Sequence, residues 1–405
     1  MTKLLWISYC AAYMQVPHAG GKNHYYWLKK LQEDSSFDIK LITCCELEEY
    51  DKFCEMRYPF EYHCCISYNS VFGKMWQKMQ SIIFAPYSLF CFAGSIAMHK
   101  IIFIKKWVRK LKKQGYVPDT ILLQWTQIGL LYAWIQKQFP NTKLVVMEED
   151  VSFLRTQREY LASTGITKVW RNWIHRVMFA RELEMCRAVD SIITTNGKDK
   201  EILKEHGINE SKILYAVSYY GDLSSLVPKR NSLKILFYGA MNRKENIDAV
   251  VWFAKFVLPK LRERDSFEFV VLGGNPDNEV RKLENSAVII TGYVDDIRPY
   301  FEDALCLVVP LFGGAGIKIK VLEGMSSGIP VLTNEIGIEG IMAIEGEDYF
   351  KCDTVEDYVA AIMRLVKEPT LAEKIGKNGQ TLVKSRFNTE GSVAHFKEVL
   401  YVESK

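Results

Sequence analysis

The chain has 405 residues, which is too many for one compact core and suits two domains of ordinary size. Its composition, with 48% hydrophobic and 25% charged residues, is that of a globular protein, and a formal net charge of +4 is too small to indicate nucleic acid as the main partner. The first ten residues, MTKLLWISYC, run directly into an apolar segment that predicts a strand, so we expect no signal peptide.

Strand-like apolar runs alternate with helical patterns along the whole chain. In the first half the predicted strands are residues 4–9, 37–45, 121–125, 144–147, 191–195 and 213–217. After the polar segment GDLSSLVPKRNS the alternation restarts, with predicted strands at 234–239, 267–272, 288–291, 306–311 and 330–333. Such alternation is typical of parallel α/β sheets, and the restart indicates two of them. The predicted fold class is therefore α/β, with two doubly wound Rossmann-like domains that face each other across a ligand-binding cleft.

These patterns also give domain limits. We expect an N-terminal domain at residues 1–220, a hinge at 221–231 and a C-terminal domain at 232–385. A C-terminal helix within 386–405 is expected to pack back on the N-terminal domain.

A glycine-rich loop lies between two of the predicted strands, in PLFGGAGIKIKVLEGMSSGIPVL (310–332). Apolar residues recur at helical spacing from about Gly316, so the loop leads into a helix N-terminus, where backbone N–H groups and the helix dipole bind anions. Lys318 and Lys320 lie in the first turn, where a cation opposes the dipole unless an anion is bound. Glu323 can accept hydrogen bonds from sugar hydroxyls. The loop therefore predicts a nucleotide or sugar-phosphate site, and a simple packing turn is the alternative.

Two other nucleotide-binding patterns are absent from the sequence. No GxGxxG follows the first strand, where PHAGGKNHYYWLKKL supplies only Gly20 and Gly21, and no Walker GxxxxGK[ST] occurs. A dinucleotide-dependent dehydrogenase is therefore disfavoured.

The ten cysteines include two adjacent pairs, at 44–45 and 64–65, and no CxxC. We expect reduced, partly buried thiols, and a metal site built from His63 and these thiols is the alternative.

Long segments of the chain resemble a known family. ILFYGAMNRKENIDAVVWFAKFVLPKL (235–261) and TGYVDDIRPYFEDALCLVVPLFGGAGIKIKVLEGMSSGIPVLTNEIGIEGI (291–341) are similar to retaining glycosyltransferases of family 4, the glycosyl transferases of group 1, whose fold is GT-B. The resemblance is continuous over about residues 232–345. It is weaker but collinear in PHAGG, PYSLF, PDTILLQWTQIG, VVMEEDVSFL and RELEMCRAVDSIITTN.

The resemblance implies transfer of a sugar, with retention and without a bound metal or other cofactor, in polysaccharide or glycoconjugate assembly. The nucleotide-diphosphate donor is then bound mainly by the C-terminal domain, and a glycan or lipid-linked acceptor mainly by the N-terminal domain. By the same match Glu323 holds the donor ribose, Val294 presents its backbone to the base, and Lys318 faces the diphosphate and sugar. The remaining donor contacts that the match implies involve Gly20, Gly21, Gly314, Ala315, Gly316 and Ile317.

The chain departs from the family pattern at three places. Ala315 stands where many members have a glutamate that contacts the donor sugar. Glu149, in MEEDV, stands where a histidine commonly precedes the aspartate, here Asp150. The arginine and lysine that usually follow the first C-terminal strand are displaced, which leaves Arg243 and Lys244 nearby as phosphate ligands or as solvated loop residues.

Glu149 and Asp150 follow the predicted strand KLVVM and are, with Lys318, the candidate catalytic residues. An N-cap and first-turn acid is the alternative for the two carboxylates. Two other functions stay open: a catalytically silent GT-B protein that binds a nucleotide sugar or a partner enzyme, and a GT-B epimerase or phosphorylase.

Residues 81–113 raise the question of a membrane. Residues 81–98 carry no charge, but Pro86 and Gly94 interrupt them. The next segment places four apolar residues on one helical stripe, opposite lysines and arginines: Ile101, Ile104, Val108 and Leu111. Such a helix can lie on anionic lipid, and a core helix with a solvated basic face is the alternative. Because many members of the family act on lipid-linked acceptors, we expect a cytoplasmic protein with peripheral contact at the inner face of the membrane through 81–113.

Overall fold

The computed structural model describes residues 1–14, 16, 19–67, 71–216, 221–229, 232–314, 317–387 and 389–402. The chain divides into two compact units, one formed by residues 1–218 with 389–405 and one by residues 219–388. We call them the N-terminal unit and the C-terminal unit.

The N-terminal unit is built on a sheet of seven strands, all parallel to their neighbours within the described part of the chain. The strands are β1 (Thr2–Ser8), β2 (Phe37–Cys45), β3 (Tyr62–Ile66), β4 (Thr120–Gln124), β5 (Lys143–Glu148), β6 (Ser191–Thr194) and β7 (Ile213–Tyr215). Their order is β3-β2-β1-β4-β5-β6-β7. The chain therefore builds outwards from β1 to one edge and then from β4 to the other.

Helices connect these strands and cover the sheet. They are α1 (Ala19–Gln32), α2 (Leu47–Glu55), α3 (Val71–Ile83), α4 (Ala85–Phe92), α5 (Met98–Lys113), α6 (Thr126–Gly129), α7 (Tyr132–Gln138), α8 (Ser152–Leu161), α9 (Gly165–Ala188) and α10 (Gly197–Glu205), with a short 3₁₀ turn at Glu210–Lys212. Alternate residues of β1 enter two different cores: Leu5 and Ile7 pack on one face of the sheet, and Leu4 and Trp6 on the other. A strand buried on both faces explains why its sequence is continuously apolar.

The C-terminal unit repeats this design with six parallel strands in the described residues. They are β8 (Lys234–Tyr238), β9 (Glu268–Leu272), β10 (Val288–Gly292), β11 (Cys306–Val309), β12 (Val331–Thr333) and β13 (Phe350–Lys351), in the order β10-β9-β8-β11-β12-β13. The helices are α11 (Lys244–Trp252), α12 (Leu258–Arg262), α13 (Asn278–Arg281), α14 (Arg298–Glu302), α15 (Ile319–Ser326), α16 (Val355–Lys367) and α17 (Pro369–Arg386). A π-helical stretch, Phe253–Val257, joins α11 to α12. The predicted class, an α/β chain with two doubly wound parallel sheets, is confirmed.

The last helix, α18 (Thr389–Leu400), is part of the N-terminal unit. Phe396 is fully buried and stacks on Trp27 of α1 with ring centres 4.3 Å apart. The hydroxyl of Thr120 at the start of β4 also donates a hydrogen bond to the Leu400 carbonyl.

The predicted hinge at 221–231 lies against the C-terminal unit where it is described. The amide of Leu223 donates to Ser326 Oγ at 3.1 Å, and the amide of Lys229 donates to the Glu302 carbonyl at 2.7 Å. Residues 217–220, 230 and 231 lie outside the described residues.

Helix α5 corrects one expectation about the membrane. Its apolar stripe does not lie on the surface, because Ile101, Ile104, Val108 and Leu111 are at most 1% exposed and belong to the core of the N-terminal unit. The alternative, a core helix with a solvated basic face, describes this helix. Residues 81–98 do not form one helix either, since α3 ends at Ile83 and left-handed backbone at Ala93 and Gly94 ends α4. Among the described helices, none combines the length and apolar composition that crossing a membrane requires.

The cysteines are free thiols, as expected. Cys45 and Cys64, on neighbouring strands, bring their sulfur atoms to 3.1 Å.

Candidate functional site

In the C-terminal unit the strand order reverses between β8 and β11. Open α/β sheets bind ligands at such a switch point, beyond the carboxyl ends of the strands. Strand β8 is followed by Gly239, and β11 is followed by the glycine-rich loop that leads into α15. The structure therefore brings the predicted anion-binding loop to the switch point of its own sheet, and we call this place the candidate donor site.

The described part of the loop is built around glycine geometry. Gly314 has φ +111, a conformation that residues with a side chain rarely adopt, and a Cβ there would lie 3.5 Å from Cε of Lys318. Lys318 is the N-cap residue of α15, and its Nζ lies 3.6 Å from Oε2 of Glu339. Both side chains are less than one-fifth exposed. Ala315 and Gly316 lie outside the described residues, so their donor contacts stay predictions.

The side chain of Lys320, in the first turn of α15, lies against strand β8. Its Nζ donates to Oδ1 of Asn246 and lies 4.6 Å from the ring centre of Phe237. A Cβ on Gly239 would come within 2.8 Å of this nitrogen, so the absence of a side chain there leaves room for the ammonium group. Burial, and to a lesser extent the charge of Arg243, lower the pKa of Lys320 to about 7. The glycine loop predicted an anion beside both Lys318 and Lys320, but the family resemblance implied a donor contact for Lys318 alone.

Arg243 and Lys244, the predicted substitutes for displaced family residues, lie at the start of α11. Arg243 pairs with Glu245 at 2.8 Å. Lys244 is 85% exposed and pairs with Asp248 one turn later in the same helix. Both positions fit the solvated-loop alternative at least as well as a phosphate contact, because both side chains are more than half exposed.

Glu323, the predicted ribose ligand, is buried on α15 and faces the segment that precedes β8. Its Oε1 accepts a hydrogen bond from the amide of Gly221 at 2.9 Å. A Cβ on Gly221 would lie 2.9 Å from the same oxygen. Glu323 therefore ties residue 221 to α15 in the structure, and its bond to a ribose stays a prediction.

Val294 and Ile317 complete the predicted donor contacts in this unit. Val294 follows β10 and is half-buried, two strands away from β8 in the sheet order. Ile317 is also half-buried and packs against the turn at Gly340, where a Cβ would come within 2.9 Å of its Cγ1.

In the N-terminal unit the strand order reverses between β1 and β4, and a pocket of about 600 Å³ opens at the ends of these strands. Its lining combines aromatic rings, carboxylates and cations: Tyr9, Cys10, Cys44, Cys45, Glu46, Glu49, Ala93, Ser95, Lys100, Trp125, Gln127, Arg155, Thr156, Glu159, Ile174 and Met178. We call it the N-terminal pocket. Oε1 of Gln127 is buried and has no hydrogen-bond partner among the described residues.

Trp125 shapes this pocket from the end of β4. It has φ +78, which is rare for a bulky residue and occurs where surrounding structure holds the backbone in place. A Cβ on Gly20 would overlap the Trp125 ring, so Gly20 makes room for the indole. Gly21, the next residue of α1, is buried. The contact of these glycines with a diphosphate stays a prediction, and packing against Trp125 is itself a reason for glycine at position 20.

Glu149 lies just after β5, and its side chain bridges two other elements. Its Oε2 accepts from Nδ2 of Asn23 on α1 at 2.8 Å, and its Oε1 accepts from Nε2 of Gln124 at the end of β4 at 2.7 Å. Gln124 in turn accepts from the indole N–H of Trp6. Burial raises the pKa of Glu149 to about 7, against the lowering effect of the two amide bonds. Asp150, by contrast, is exposed.

A pair of buried acids that was not predicted from the sequence lies next to Glu149: Glu148 at the end of β5 and Glu182 on α9. Glu148 and Glu182 are fully buried, and the Thr126 hydroxyl lies within hydrogen-bonding distance of both. The Glu182 carboxylate accepts the amides of Ser152 and Phe153, each at 2.7 Å, and so satisfies the N-terminus of α8. Burial raises the pKa of Glu182 to about 8, and burial together with Glu182 raises the pKa of Glu148 well above its usual range. Because 34 residues separate the two glutamates, only the fold brings them together.

These buried acids predict that the N-terminal unit loses stability as the pH rises. An acid with a raised pKa keeps its proton in the folded chain at a pH where the unfolded chain has released it, so the free energy of unfolding falls between about pH 4.5 and 8. The pKa shift of Glu149 alone corresponds to roughly 3 kcal/mol. Urea unfolding at pH 5 and pH 8 measures this, followed by tryptophan fluorescence, since all tryptophans except Trp252 lie in the N-terminal unit. Glu149→Gln should reduce the difference, and equal midpoints at both pH values would contradict the prediction.

Comparison with known proteins shows what the chain is similar to. Residues 232–368 match the family model described as glycosyl transferases group 1. The predicted resemblance to that group is therefore confirmed, and the matched segment contains the whole described part of the glycine loop and α15.

Three relatives and solved structures extend the likeness beyond that segment. An uncharacterized glycosyltransferase of Methanocaldococcus jannaschii is 22% identical over 95% of each chain. The crystal structure of Anabaena HepE in complex with UDP aligns with a TM-score of 0.66 and 11% identity, over 98% of this chain and 99% of that one, and the same protein with UDP-glucose aligns at 0.64. The lipopolysaccharide outer core galactosyltransferase WaaB aligns with a TM-score of 0.60 and 11% identity, over 98% and 99%. At these identities the structures are like this chain in fold.

Proposed function

We propose that this chain is a retaining glycosyltransferase that moves a sugar from a nucleotide-diphosphate donor to a glycan or lipid-linked acceptor in polysaccharide or glycoconjugate biosynthesis. The observation that carries the proposal is the candidate donor site at the switch point of the sheet, where Lys320 and Glu323 lie on one short helix and Lys318 is its N-cap residue. Cations, backbone amides and a carboxylate in this arrangement suit a diphosphate and a ribose.

The proposed chemistry follows from charge. Cleavage of the bond between sugar and diphosphate builds negative charge on the leaving diphosphate, and preorganised cations and amides stabilise it. Lys318 and Lys320 supply those cations from the chain itself, so the proposal needs no bound metal or cofactor. UDP is the first nucleotide to test, because the similar fold of HepE was solved with UDP and UDP-glucose.

The N-terminal pocket is the proposed acceptor site. Tyr9 and Trp125 offer aromatic surface to the apolar face of a sugar ring, and Glu46, Glu49 and Glu159 offer acceptors for its hydroxyl groups. The unpaired Oε1 of Gln127, buried in the same wall, supports a ligand that donates hydrogen bonds.

Glu149 and Asp150 are proposed to act beside this pocket. With a pKa of about 7, Glu149 holds a proton in a large share of molecules at neutral pH and can donate as well as accept a hydrogen bond. In that respect it resembles the histidine that commonly stands there in the family.

Peripheral contact of the protein with the inner face of the cytoplasmic membrane is also part of the proposed function.

Binding of UDP tests the proposed donor site. UDP is expected to raise the melting temperature of the wild-type protein, since a ligand at a hundred times its Kd adds about 2.7 kcal/mol of stability. Glu323→Ala is expected to weaken UDP about 10- to 100-fold, because a charge-assisted pair of hydrogen bonds to the ribose is lost. Titration calorimetry of UDP against both proteins measures the difference.

Two controls separate binding from folding and from other functions. Glu284→Ala removes an exposed glutamate of the same unit and should leave UDP affinity unchanged. Release of UDP from UDP-glucose, with an acceptor sugar present, then distinguishes a transferase from a silent nucleotide-sugar-binding protein. Unchanged affinity in Glu323→Ala would remove this residue from the site, and failure of every nucleoside diphosphate to bind would overturn the proposed function.

A further inference from the structure

Helix α3 carries its apolar stripe on the outside of the protein. Six large apolar residues recur at helical spacing along it and all are exposed, from 40% at Met79 to 79% at Phe72: Phe72, Met75, Trp76, Met79, Ile82 and Ile83. Spacing of this kind normally buries the stripe against a core. Here it faces solvent over the whole length of the helix.

The opposite side of α3 explains this orientation. Gly73, Gln77 and Gln80 are the partly buried residues of the helix, and they recur at the same spacing on another face. Nε2 of Gln77 and Oε1 of Gln80 are buried without a hydrogen-bond partner among the described residues. The helix therefore turns a small and polar side to the protein and leaves its apolar side exposed, without a partner among the described residues.

The exposed apolar surface continues from α3 through α4 to the first turns of α9. Phe84 and Phe90 are exposed, and the Phe90 ring contacts Trp173 of α9 edge to face at 5.2 Å. Trp173 stacks on Trp170, which is itself half exposed. Ile166 and Val169, one turn earlier, are among the most exposed apolar residues of the chain. We call the exposed residues of α3, α4 and the start of α9 the apolar face.

Cations predominate in the two sequence segments that carry the apolar face, although Arg171 pairs with Glu159 and Arg181 with Glu184 at its border. Residues 62–118 contain no aspartate or glutamate and nine cationic residues: Lys74, Lys78, Lys100, Lys105, Lys106, Arg109, Lys110, Lys112 and Lys113. Residues 160–181, which include the start of α9, also contain no acid and have Lys168, Arg171, Arg176 and Arg181. Lys74 and Lys78 lie on α3 itself, are exposed, and flank the apolar stripe.

We propose that the apolar face binds the surface of a lipid bilayer with anionic headgroups, with α3 lying in the plane of the interface. An amphipathic helix with aromatic and aliphatic residues on one side and lysines beside them is the form that interfacial helices take. The cations then meet the negative surface of the membrane, each contributing attraction within a Debye length. A second copy of this chain is disfavoured as the occupant, because a symmetric contact would bring two positive surfaces together. The proposal concerns α3, α4 and α9, and it differs from the earlier expectation that the buried stripe of α5 lies on lipid.

Flotation of the full-length protein with vesicles tests the proposal. Vesicles of phosphatidylcholine with phosphatidylglycerol should carry the protein, and vesicles of phosphatidylcholine alone should carry much less. Trp76→Ser with Ile83→Ser should lower the partition coefficient about tenfold or more, because two exposed apolar anchors are lost. Lys74→Gln with Lys78→Gln should lower the partition coefficient on anionic vesicles only. Salt at about 0.5 M should likewise weaken the binding of the parental protein to anionic vesicles.

The matched control is Met342→Ser with Ile344→Ser, which removes two exposed apolar residues from the C-terminal unit. It should float like the parental protein. The proposal is overturned if the Trp76 and Ile83 double variant floats as well as the parental protein, or if the parental protein does not float. It is also overturned if sedimentation shows a parental dimer that this variant dissociates, which would make a second copy the occupant. UDP binding by the same samples keeps this outcome separate from that of the proposed function.

Discussion

Replacing Lys320 with methionine is expected to weaken the binding of UDP about 10- to 100-fold, the usual effect of losing a charge-assisted hydrogen bond to phosphate. It is also expected to remove most of the pH dependence of that binding between pH 7 and 9. Methionine keeps the volume of the side chain beside Phe237 and Gly239, so the change removes the charge with little loss of packing. Titration calorimetry at several pH values measures both effects.

The pH dependence follows from the lowered pKa. Burial holds the pKa of Lys320 at about 7 in the free protein, so much of the ammonium form is lost above that pH. A bound diphosphate favours the charged form and raises the pKa again, so the nucleotide must bring a proton with it at high pH. Affinity is therefore full below about pH 7 and falls by up to about tenfold for each unit above it, until the pKa of the complex is reached.

Two further variants make this test specific. Lys320→Arg should keep UDP binding but lose the pH dependence, because a guanidinium stays charged over this range. Lys282→Met removes an exposed lysine of the same unit and should change neither property. If Lys320→Met binds UDP with the parental affinity and pH profile, Lys318, the N-cap residue of the same helix, becomes the better candidate for the phosphate contact.

The strands could be predicted from the sequence because burial on both faces of a parallel sheet leaves a continuous apolar run. Residues 37–45 were predicted and observed with the same limits, and the run predicted at 306–311 is strand Cys306–Val309. Strand β13 was not predicted, since Phe350 and Lys351 are too few to give a pattern. The seven-residue β1 begins two residues before its predicted start, where Thr2 pairs with Phe37 of the neighbouring strand.

The direction in which an amphipathic helix faces could not be predicted. The stripes of α3 and α5 have the same spacing, yet Ile104 and Val108 of α5 are buried while Phe72 and Trp76 of α3 are exposed. Periodicity shows that one side of a helix is apolar, and only the surrounding packing decides what that side contacts.

The candidate donor site was predictable in part. The glycine loop, Lys318 and Glu323 were found because a loop and a helix N-terminus are contiguous in sequence. The position of Lys320 against Phe237 and Asn246 was not, since those contacts join segments more than 70 residues apart. The resemblance pointed to Arg243 and Lys244 because they follow β8 in sequence, whereas the contact of Lys320 with Phe237 of β8 exists only in the folded chain.

The two switch points share a physical feature. Each holds a titratable side chain whose pKa burial brings to about 7, Lys320 in one unit and Glu149 in the other. A buried ionisable group lowers stability, and such groups are concentrated at functional sites.

Replacing Glu149 with alanine is expected to lower the rate of sugar transfer about 100- to 1000-fold, within the range found when a group that transfers a proton is removed. Glu149→Gln is expected to keep most of the activity. The amide of Gln124 is oriented by the Trp6 indole, so its NH₂ group points at position 149, and the remaining oxygen of the new side chain can accept from it. The new NH₂ group then faces the side-chain amide of Asn23.

The pH profile separates a role in proton donation from a role in support of the fold. If protonated Glu149 donates to the sugar, kcat at saturating donor falls above about pH 7 in the parental enzyme and stays level in Glu149→Gln, which always carries hydrogens. Glu149→Ala removes the carboxylate that accepts from the buried amides of Asn23 and Gln124, at a cost of about 1–3 kcal/mol for each lost bond, so its rate is measured well below its melting temperature. UDP affinity should be nearly the same in all three proteins, and Glu205→Ala, at an exposed glutamate of the N-terminal unit, is the matched control. Transfer by Glu149→Ala at the parental rate would make this glutamate a structural residue that joins α1 to β4, and Asp150 would then be the acid to test.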